Sequence, residues 1–195
     1  MAVEVVADSP VVDPAAQTAP AVIKTLFVLP VSDEFGWVLL VVTALVATVY
    51  FMGFAVYKRR RFVMKEEYLE QFTTQHMEAF PGQQKASVEG FPDTGSGRYS
   101  AVMSYSDWLT FNNAQRGHLN SIEQLPFLVG GLLFIGFAFP LTAAIMGALL
   151  VPARIAYFVG YTNYGPKARL PGILLEDLIK LGMIGLIVAT CVQSF

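Results

Sequence analysis

The chain has 195 residues, of which 54% are hydrophobic and only 14% are charged, a balance typical of an integral membrane protein. A formal net charge of −2 gives no reason to expect a nucleic-acid partner. Because Cys191 is the only cysteine, no disulfide can form within the chain.

The first 34 residues differ from known targeting signals. They are rich in Ala, Val and Pro and contain several acidic residues. A secretory signal needs a basic start and a longer apolar core, and a transit peptide is rich in Arg and poor in acids. We therefore predict an N-terminal extension over residues 1–34, followed by a membrane domain over residues 35–195.

Four apolar segments of this domain are long enough to cross a bilayer at about 1.5 Å per helical residue. They lie at about 36–57, 119–139, 141–161 and 173–195. The short connections among the last three make consecutive segments antiparallel neighbours. Since backbone polar groups in lipid must be satisfied within a helix, the sequence predicts an all-α membrane protein, a four-transmembrane-helix up-down bundle.

An extended loop over residues 58–115 is predicted between the first two segments. Its start, Phe62–Met77, could continue the first helix into water until Phe80-Pro81-Gly82 ends it, and residues 82–100 are predicted to form a loop. Basic residues are concentrated at 58–61 and in the connection between the third and fourth segments. The positive-inside rule therefore places both of these loops in the cytosol or an equivalent compartment.

A polar stripe lies at the start of the second apolar segment. Arg116, Asn120 and Glu123 fall at i, i+4 and i+7, which places a cation, an amide and a carboxylate on one helix face. Polar groups at membrane depth are costly, so the stripe is a candidate site. A complementary ligand would carry both an anionic group and an ammonium group.

The third segment adds a second polar face. Arg154, Tyr157 and Tyr161 fall at i, i+3 and i+7, so the two faces can converge at one end of the bundle. A structural alternative stays open, in which Arg116–Glu123 and Arg154 are interhelical ion pairs that fix packing and register.

Three weaker signals have simpler interpretations. Glu176 and Lys180 at i, i+4 predict an ion pair near a membrane end, with Asp177 satisfied beside it. Residues 93–98 look like a phosphate-cradling loop but lack the following Lys-Ser/Thr. The two histidines are too far apart in sequence to argue for a metal.

The residues of the stripe also carry a family resemblance. Residues 111–126, FNNAQRGHLNSIEQLP, are similar to the second-helix signature of the MAPEG family, membrane proteins of eicosanoid and glutathione metabolism. They look most like the type-3 microsomal glutathione S-transferases, because every fixed position of F-N-x-x-Q-R-x-H-x-N-x-x-E is met. A second signature, R-x-x-Y-x-x-G-Y, is met from Arg154 onward. The resemblance covers about residues 34–195.

The resemblance implies a membrane-bound glutathione transferase or peroxidase that acts on lipophilic electrophiles or lipid hydroperoxides. It implies a homotrimer in which glutathione binds between neighbouring subunits near the cytosolic face. Within that site Glu123 suits the ammonium of glutathione and Arg116 suits its carboxylates. The other residues expected around glutathione are Asn120, Arg154, Tyr157, Tyr161 and Lys167, with Arg59 or Arg60 from a neighbouring subunit.

The family's catalytic arginine, which stabilises the glutathione thiolate, follows the third helix. A nearby cation lowers the pKa of a thiol and so favours attack at neutral pH. Residues 166–170 resemble the family's P-x-K-R stretch, but Ala168 stands where a cation is usual. Arg169 is the best candidate for the catalytic role, and Lys167 is the second.

A second interpretation belongs to a different class of function. The N-terminal extension, the extended loop and Ala168 are also expected of a MAPEG-fold structural accessory subunit in a larger organellar membrane complex, without catalysis. Either protein would contact membrane lipids, in the endoplasmic reticulum, in mitochondria or in another organelle.

Overall fold

The computed structural model describes residues 32–82, 85–89 and 93–193, so residues 1–31 of the predicted N-terminal extension lie outside the described part of the chain. The helices in the described part are α1 (Phe35–Val63), α2 (Glu66–Leu69), α3 (Thr73–Ala79), α4 (Tyr105–Ala138), α5 (Pro140–Tyr164) and α6 (Leu170–Gln193). Short 3-10 turns join several of them, and no strand occurs among the described residues.

The four long helices form the predicted bundle. Helix α1 packs against α4 and α5, α4 packs against α5, and α6 packs mainly against α5. Phe139 alone separates α4 from α5, and Pro140 opens α5 at a position where its missing N–H costs no hydrogen bond. The all-α membrane fold predicted from the sequence is confirmed.

Helices α1, α4 and α5 are each long and apolar enough to cross a membrane. Helix α6 differs because Glu176, Asp177 and Lys180 interrupt its first half, and it is not among those three. Its crossing therefore stays a prediction from the sequence.

The connection between the first two long helices is shorter than predicted. Helix α4 begins at Tyr105, where the Ser104 hydroxyl accepts a hydrogen bond from the backbone N–H of Asp107 at 3.2 Å and caps the helix. The predicted helix over Phe62–Met77 is not continuous with the first helix, because α1 ends at Val63; the segment is helical again over α2 and α3, and α3 ends at Ala79, just before Phe80 as predicted. Met64 and Leu69 instead pack into a buried cluster with Phe111, which folds the chain back onto the bundle.

A loop built around Asp93 covers one part of this cluster. The Asp93 carboxylate accepts hydrogen bonds from the backbone N–H groups of Gly95 (2.7 Å), Gly97 (3.0 Å) and Ser100 (2.8 Å). A Cβ on Gly97 would lie 2.6 Å from an Asp93 carboxylate oxygen, so the loop needs glycine there. The loop that resembled a phosphate cradle therefore binds the chain's own carboxylate.

These hydrogen bonds make the loop sensitive to acid. Burial acts to raise the pKa of Asp93, but the hydrogen bonds from Ser100, Gly95 and Gly97 outweigh it and hold this pKa below its ordinary value. A carboxyl with a lowered folded-state pKa contributes stability above its unfolded pKa of about 3.9. That contribution is lost as the pH falls through the folded-state pKa.

We expect the loop to open on acidification of the wild type, whereas Asp93→Asn should weaken it already at neutral pH and remove this acid transition. Trp108 is a suitable reporter, because its Nε1 donates to the Gly95 carbonyl at 2.8 Å. The measurement is Trp108 fluorescence against pH in a Trp37→Phe background, which removes the other tryptophan. An unchanged acid transition in Asp93→Asn would assign loop opening to another group.

Candidate functional site

Arg154 lies at the centre of the polar region and is only 1% exposed. Its Nη1 donates to Oδ1 of Asn120 at 3.0 Å, and its Nη2 donates to Oε1 of Glu176. The guanidinium carbon lies 5.0 Å from the centroid of the Tyr157 ring. Both terminal nitrogens are thus engaged inside the chain, by one residue of α4 and one of α6.

A lysine joins the same cluster from α6. Nζ of Lys180 lies 3.1 Å from Oε1 of Glu176 and 2.7 Å from Oδ1 of Asp177. It also donates to Oε1 of Gln124 on α4 at 3.2 Å. The predicted Glu176–Lys180 ion pair and the satisfaction of Asp177 are confirmed.

The alternative of interhelical ion pairs is correct for Arg154, and its partner is Glu176. This pair could not be predicted from the sequence, because the two residues belong to different helices and no spacing rule connects them. The available signal was chemical, since a buried arginine in an apolar helix requires a carboxylate on a neighbouring element.

The outer part of the stripe has a different environment. Arg116 and Glu123 are exposed, and Asn120 between them is half-buried. Within residues 32–82, 85–89 and 93–193, neither the Arg116 nor the Glu123 side chain forms a hydrogen bond or an ion pair, so the ion pairs that the structural alternative assigned to these two residues are not formed. Two opposite charges therefore flank an amide on an outer face of α4.

The tyrosines of the second polar face are buried side by side. Tyr157 and Tyr161 have ring centroids 6.0 Å apart. The guanidinium carbon of Arg169 lies 5.3 Å from the centroid of the Tyr161 ring, whereas Lys167 is exposed. Of the two candidate cations that follow α5, Arg169 is thus the one that the fold places against the tyrosine face.

The turn that carries Arg169 depends on a glycine in the second signature. A Cβ on Gly160 would lie 2.2 Å from the backbone carbonyl oxygen of Ala168, so a side chain there would force the turn away from α5. Gly165, with φ of 88°, begins the turn in a conformation that favours glycine. These two glycines allow residues 166–169 to lie close to α5.

The two arginines at the end of α1 have separate positions. Arg60 is 2% exposed, and its guanidinium carbon lies 5.3 Å from the centroid of the Phe111 ring. Arg59 is half-buried, and its Nη2 donates to Oδ1 of Asn163 at 2.9 Å. The expectation that Arg60 reaches a site on a neighbouring subunit does not fit its burial, and the same expectation for Arg59 stays a prediction.

The imidazole of His118 lies on the inner side of α4. A Cβ on Gly53 of α1 would lie 3.4 Å from the His118 ring, so the histidine packs closely against α1. This position fits the packing role that is expected for a lone histidine in a bundle.

Apolar helices that enclose a buried Arg154–Glu176 pair, and that leave a charged stripe on an outer face, define an integral membrane protein with a polar site in its bundle. The model of the MAPEG family matches residues 38–189, and the chain belongs to this family. A comparison with curated proteins gives no match. The resemblance on which the sequence analysis rested is thereby confirmed at the level of the family.

Proposed function

We propose that the chain is a membrane-bound glutathione transferase or peroxidase that acts on lipophilic electrophiles or lipid hydroperoxides. The observation that carries the proposal is the exposed pair Arg116 and Glu123, which flanks an Asn120 side chain held by Arg154. Membership of the MAPEG family supports it, because these proteins generally use glutathione.

The chemistry of the stripe suits this tripeptide. Glutathione carries two carboxylates and one ammonium, so Arg116 and Glu123 can each form a charge-assisted hydrogen bond with it. Exposed charges are costly next to lipid, so we expect another surface to cover the stripe. A second copy of the chain in a homotrimer would provide that surface, with Arg59 at its edge.

Three residues have supporting roles in this proposal. Tyr157 and Tyr161 line the inner wall, and Arg154 holds this wall together from within the chain instead of contacting glutathione. Arg60, whose side chain is buried against Phe111, has no part in the site.

We assign the stabilisation of the glutathione thiolate to Arg169. Its guanidinium, held over the Tyr161 ring, would lower the pKa of the glutathione thiol and keep the sulfur ionised. The thiolate then attacks the electrophilic carbon of a substrate from the bilayer, forming a thioether as the leaving group departs. With a hydroperoxide the thiolate attacks the distal oxygen, the O–O bond breaks, and the alkoxide takes a proton and leaves as the alcohol. A second glutathione then reduces the resulting sulfenic acid to give the disulfide and water.

We expect Arg169→Ala to lower kcat by roughly 10²-fold, as for the loss of one group that stabilises a developing anion, with the glutathione Kd unchanged. Lys167→Ala tests the second candidate, whose side chain lies in the same turn but is exposed, and it should lower kcat less than Arg169→Ala does. The measurements are turnover with a chromogenic electrophile and calorimetric glutathione binding, both in detergent. Full activity in Arg169→Ala would show that Arg169 does not stabilise the thiolate.

The connection over residues 64–104 favours a second candidate, a structural accessory subunit of a larger organellar membrane complex. Met64, Leu69 and Ala86 of this segment are buried in one cluster with Phe111 of the bundle, so the segment packs against the bundle and adds surface beyond the membrane helices. Native mass spectrometry of the solubilised assembly distinguishes the candidates. Three identical copies with turnover support the enzyme, whereas one copy among unrelated subunits without turnover supports the accessory subunit. In either case we propose a membrane of the endoplasmic reticulum or of mitochondria.

A further inference from the structure

We infer that Glu176 is a positioning residue: by holding Arg154 it orients the Asn120 amide toward the glutathione site, an inference that rests on the proposed function. Glu176 lies on α6, which carries neither of the two family signatures. Its carboxylate is 1% exposed and does not face the stripe, so its effect on a ligand must pass through another side chain.

The contact between Arg154 and Asn120 determines which end of the amide faces outward. An asparagine side chain has one accepting oxygen and one donating nitrogen, and either end can face a ligand unless a neighbour selects one. Nη1 of Arg154 can only donate, and it lies 3.0 Å from Oδ1 of Asn120. The amide oxygen is thereby turned inward, which leaves the Nδ2 hydrogens for the stripe.

An outward donor defines what Asn120 can recognise. A donor between Arg116 and Glu123 requires an acceptor on the ligand, such as a carboxylate or peptide carbonyl oxygen of glutathione. A freely rotating amide would lose conformational entropy when the ligand binds, and it would present its oxygen instead of its N–H groups to the ligand part of the time.

Glu176 fixes the guanidinium that makes this selection. Arg154 has a planar fork of donors, so when the Glu176 carboxylate binds Nη2, the direction of Nη1 is set as well. Lys180 restrains the same carboxylate oxygen from 3.1 Å and is itself held by Asp177 at 2.7 Å. The chain of contacts thus runs from α6 through α5 to the outer face of α4.

A buried ion pair can also stabilise packing alone. If the Arg154–Glu176 pair instead positions Asn120, its effect on glutathione binding must depend on the presence of Asn120. The double variant Arg154→Met/Glu176→Met removes both charges without leaving either one buried alone, a change that folds tolerate well. We expect it to raise the glutathione Kd roughly tenfold, as for one weakened hydrogen bond to a charged group. In an Asn120→Ala background the same double substitution should leave Kd unchanged.

A conservative variant covers the case in which the double variant does not fold. Arg154→Lys keeps a buried cation beside Glu176, but an ammonium lacks the planar fork that reaches Glu176 and Asn120 together. It too should raise Kd with Asn120 present and should have no further effect in Asn120→Ala. Gly185→Ala is the matched control, because it changes the same helix as Glu176 where an added Cβ meets no atom within 4 Å, and it should leave Kd unchanged.

Calorimetric titration of detergent-solubilised full-length protein with glutathione gives each Kd. Equal increases in Kd with and without Asn120, or no increase in either Arg154 variant, would overturn the positioning role while leaving the proposed function intact. Absence of saturable binding by the wild type would instead overturn the proposed function, and this inference with it.

Discussion

Replacement of Glu176 alone by leucine should lower the free energy of unfolding by about 3–5 kcal/mol, because it leaves the Arg154 guanidinium buried without its carboxylate. Asn120, the other hydrogen-bond partner of Arg154, carries no charge and cannot compensate the cation. Lys180 would also lose one of its two carboxylates. We expect this to be the largest loss of stability that any single side-chain replacement causes in the bundle.

Equilibrium unfolding in mixed micelles, followed by circular dichroism, measures this loss. Asp177→Asn is the control: its side chain is half-exposed, and the loss of its pair with Lys180 should cost less than about 1 kcal/mol. The double variant Arg154→Met/Glu176→Met should recover most of the stability, since neither charge remains buried alone. If Glu176→Leu were no less stable than Asp177→Asn, the Arg154–Glu176 pair would not stabilise the bundle.

The second large effect is expected at Gly172, where α6 lies directly against the backbone of α5. A Cβ at this position would lie 2.4 Å from the backbone nitrogen of Tyr157 and 2.6 Å from the carbonyl oxygen of Ala153. These atoms belong to the helix backbone and cannot rotate away, so Gly172→Ala must push the two helices apart. Overpacking of this kind costs about 1–3 kcal/mol.

The same substitution should weaken glutathione binding. Glu176 lies one helical turn beyond Gly172, so a displaced α6 carries the carboxylate away from Arg154. Gly185→Ala is the matched control, because a Cβ there meets no atom within 4 Å. It should be neutral or stabilise α6 by up to about 1 kcal/mol through helix propensity. Equal unfolding free energies for the two alanine variants would show that α5 and α6 tolerate the added methyl group.

The bundle could be predicted from the sequence because lipid leaves the backbone few alternatives to a helix. The length of the apolar segments predicted the long helices, and Pro140 predicted the turn between α4 and α5. The helix ends that lie in water could not be predicted in this way, because capping and local packing determine them and hydropathy does not report either. Helix α4 begins at Tyr105 because Ser104 caps it, and α1 ends at Val63 because Met64 is drawn into the cluster around Phe111.

The candidate site was predictable where its residues share one helix. Helical spacing placed Arg116, Asn120 and Glu123 on one face, and the structure keeps the two charged residues exposed. The inner partners were not predictable, because the contact between Arg154 and Glu176 depends on how closely α6 can approach α5.

Adjacent arginines show the same limit. Arg59 and Arg60 have the same side chain and count equally in the positive-inside rule, yet Arg59 is half-buried and Arg60 is fully buried against Phe111. Their difference arises from tertiary packing, because Arg60 lies on the side of α1 that faces Phe111 of α4, whereas Arg59 contacts Asn163 of α5.

The most direct test of the glutathione site pairs one change in the protein with one change in the ligand. Calorimetric titrations compare glutathione with N-acetylglutathione, which lacks the ammonium, against the wild type and Glu123→Gln. We predict saturable binding of glutathione by the wild type and an affinity roughly tenfold or more lower for N-acetylglutathione. The two ligands should bind Glu123→Gln about equally weakly. No saturable binding of glutathione, or equal affinity of the wild type for both ligands, would contradict a glutathione site at Arg116, Asn120 and Glu123.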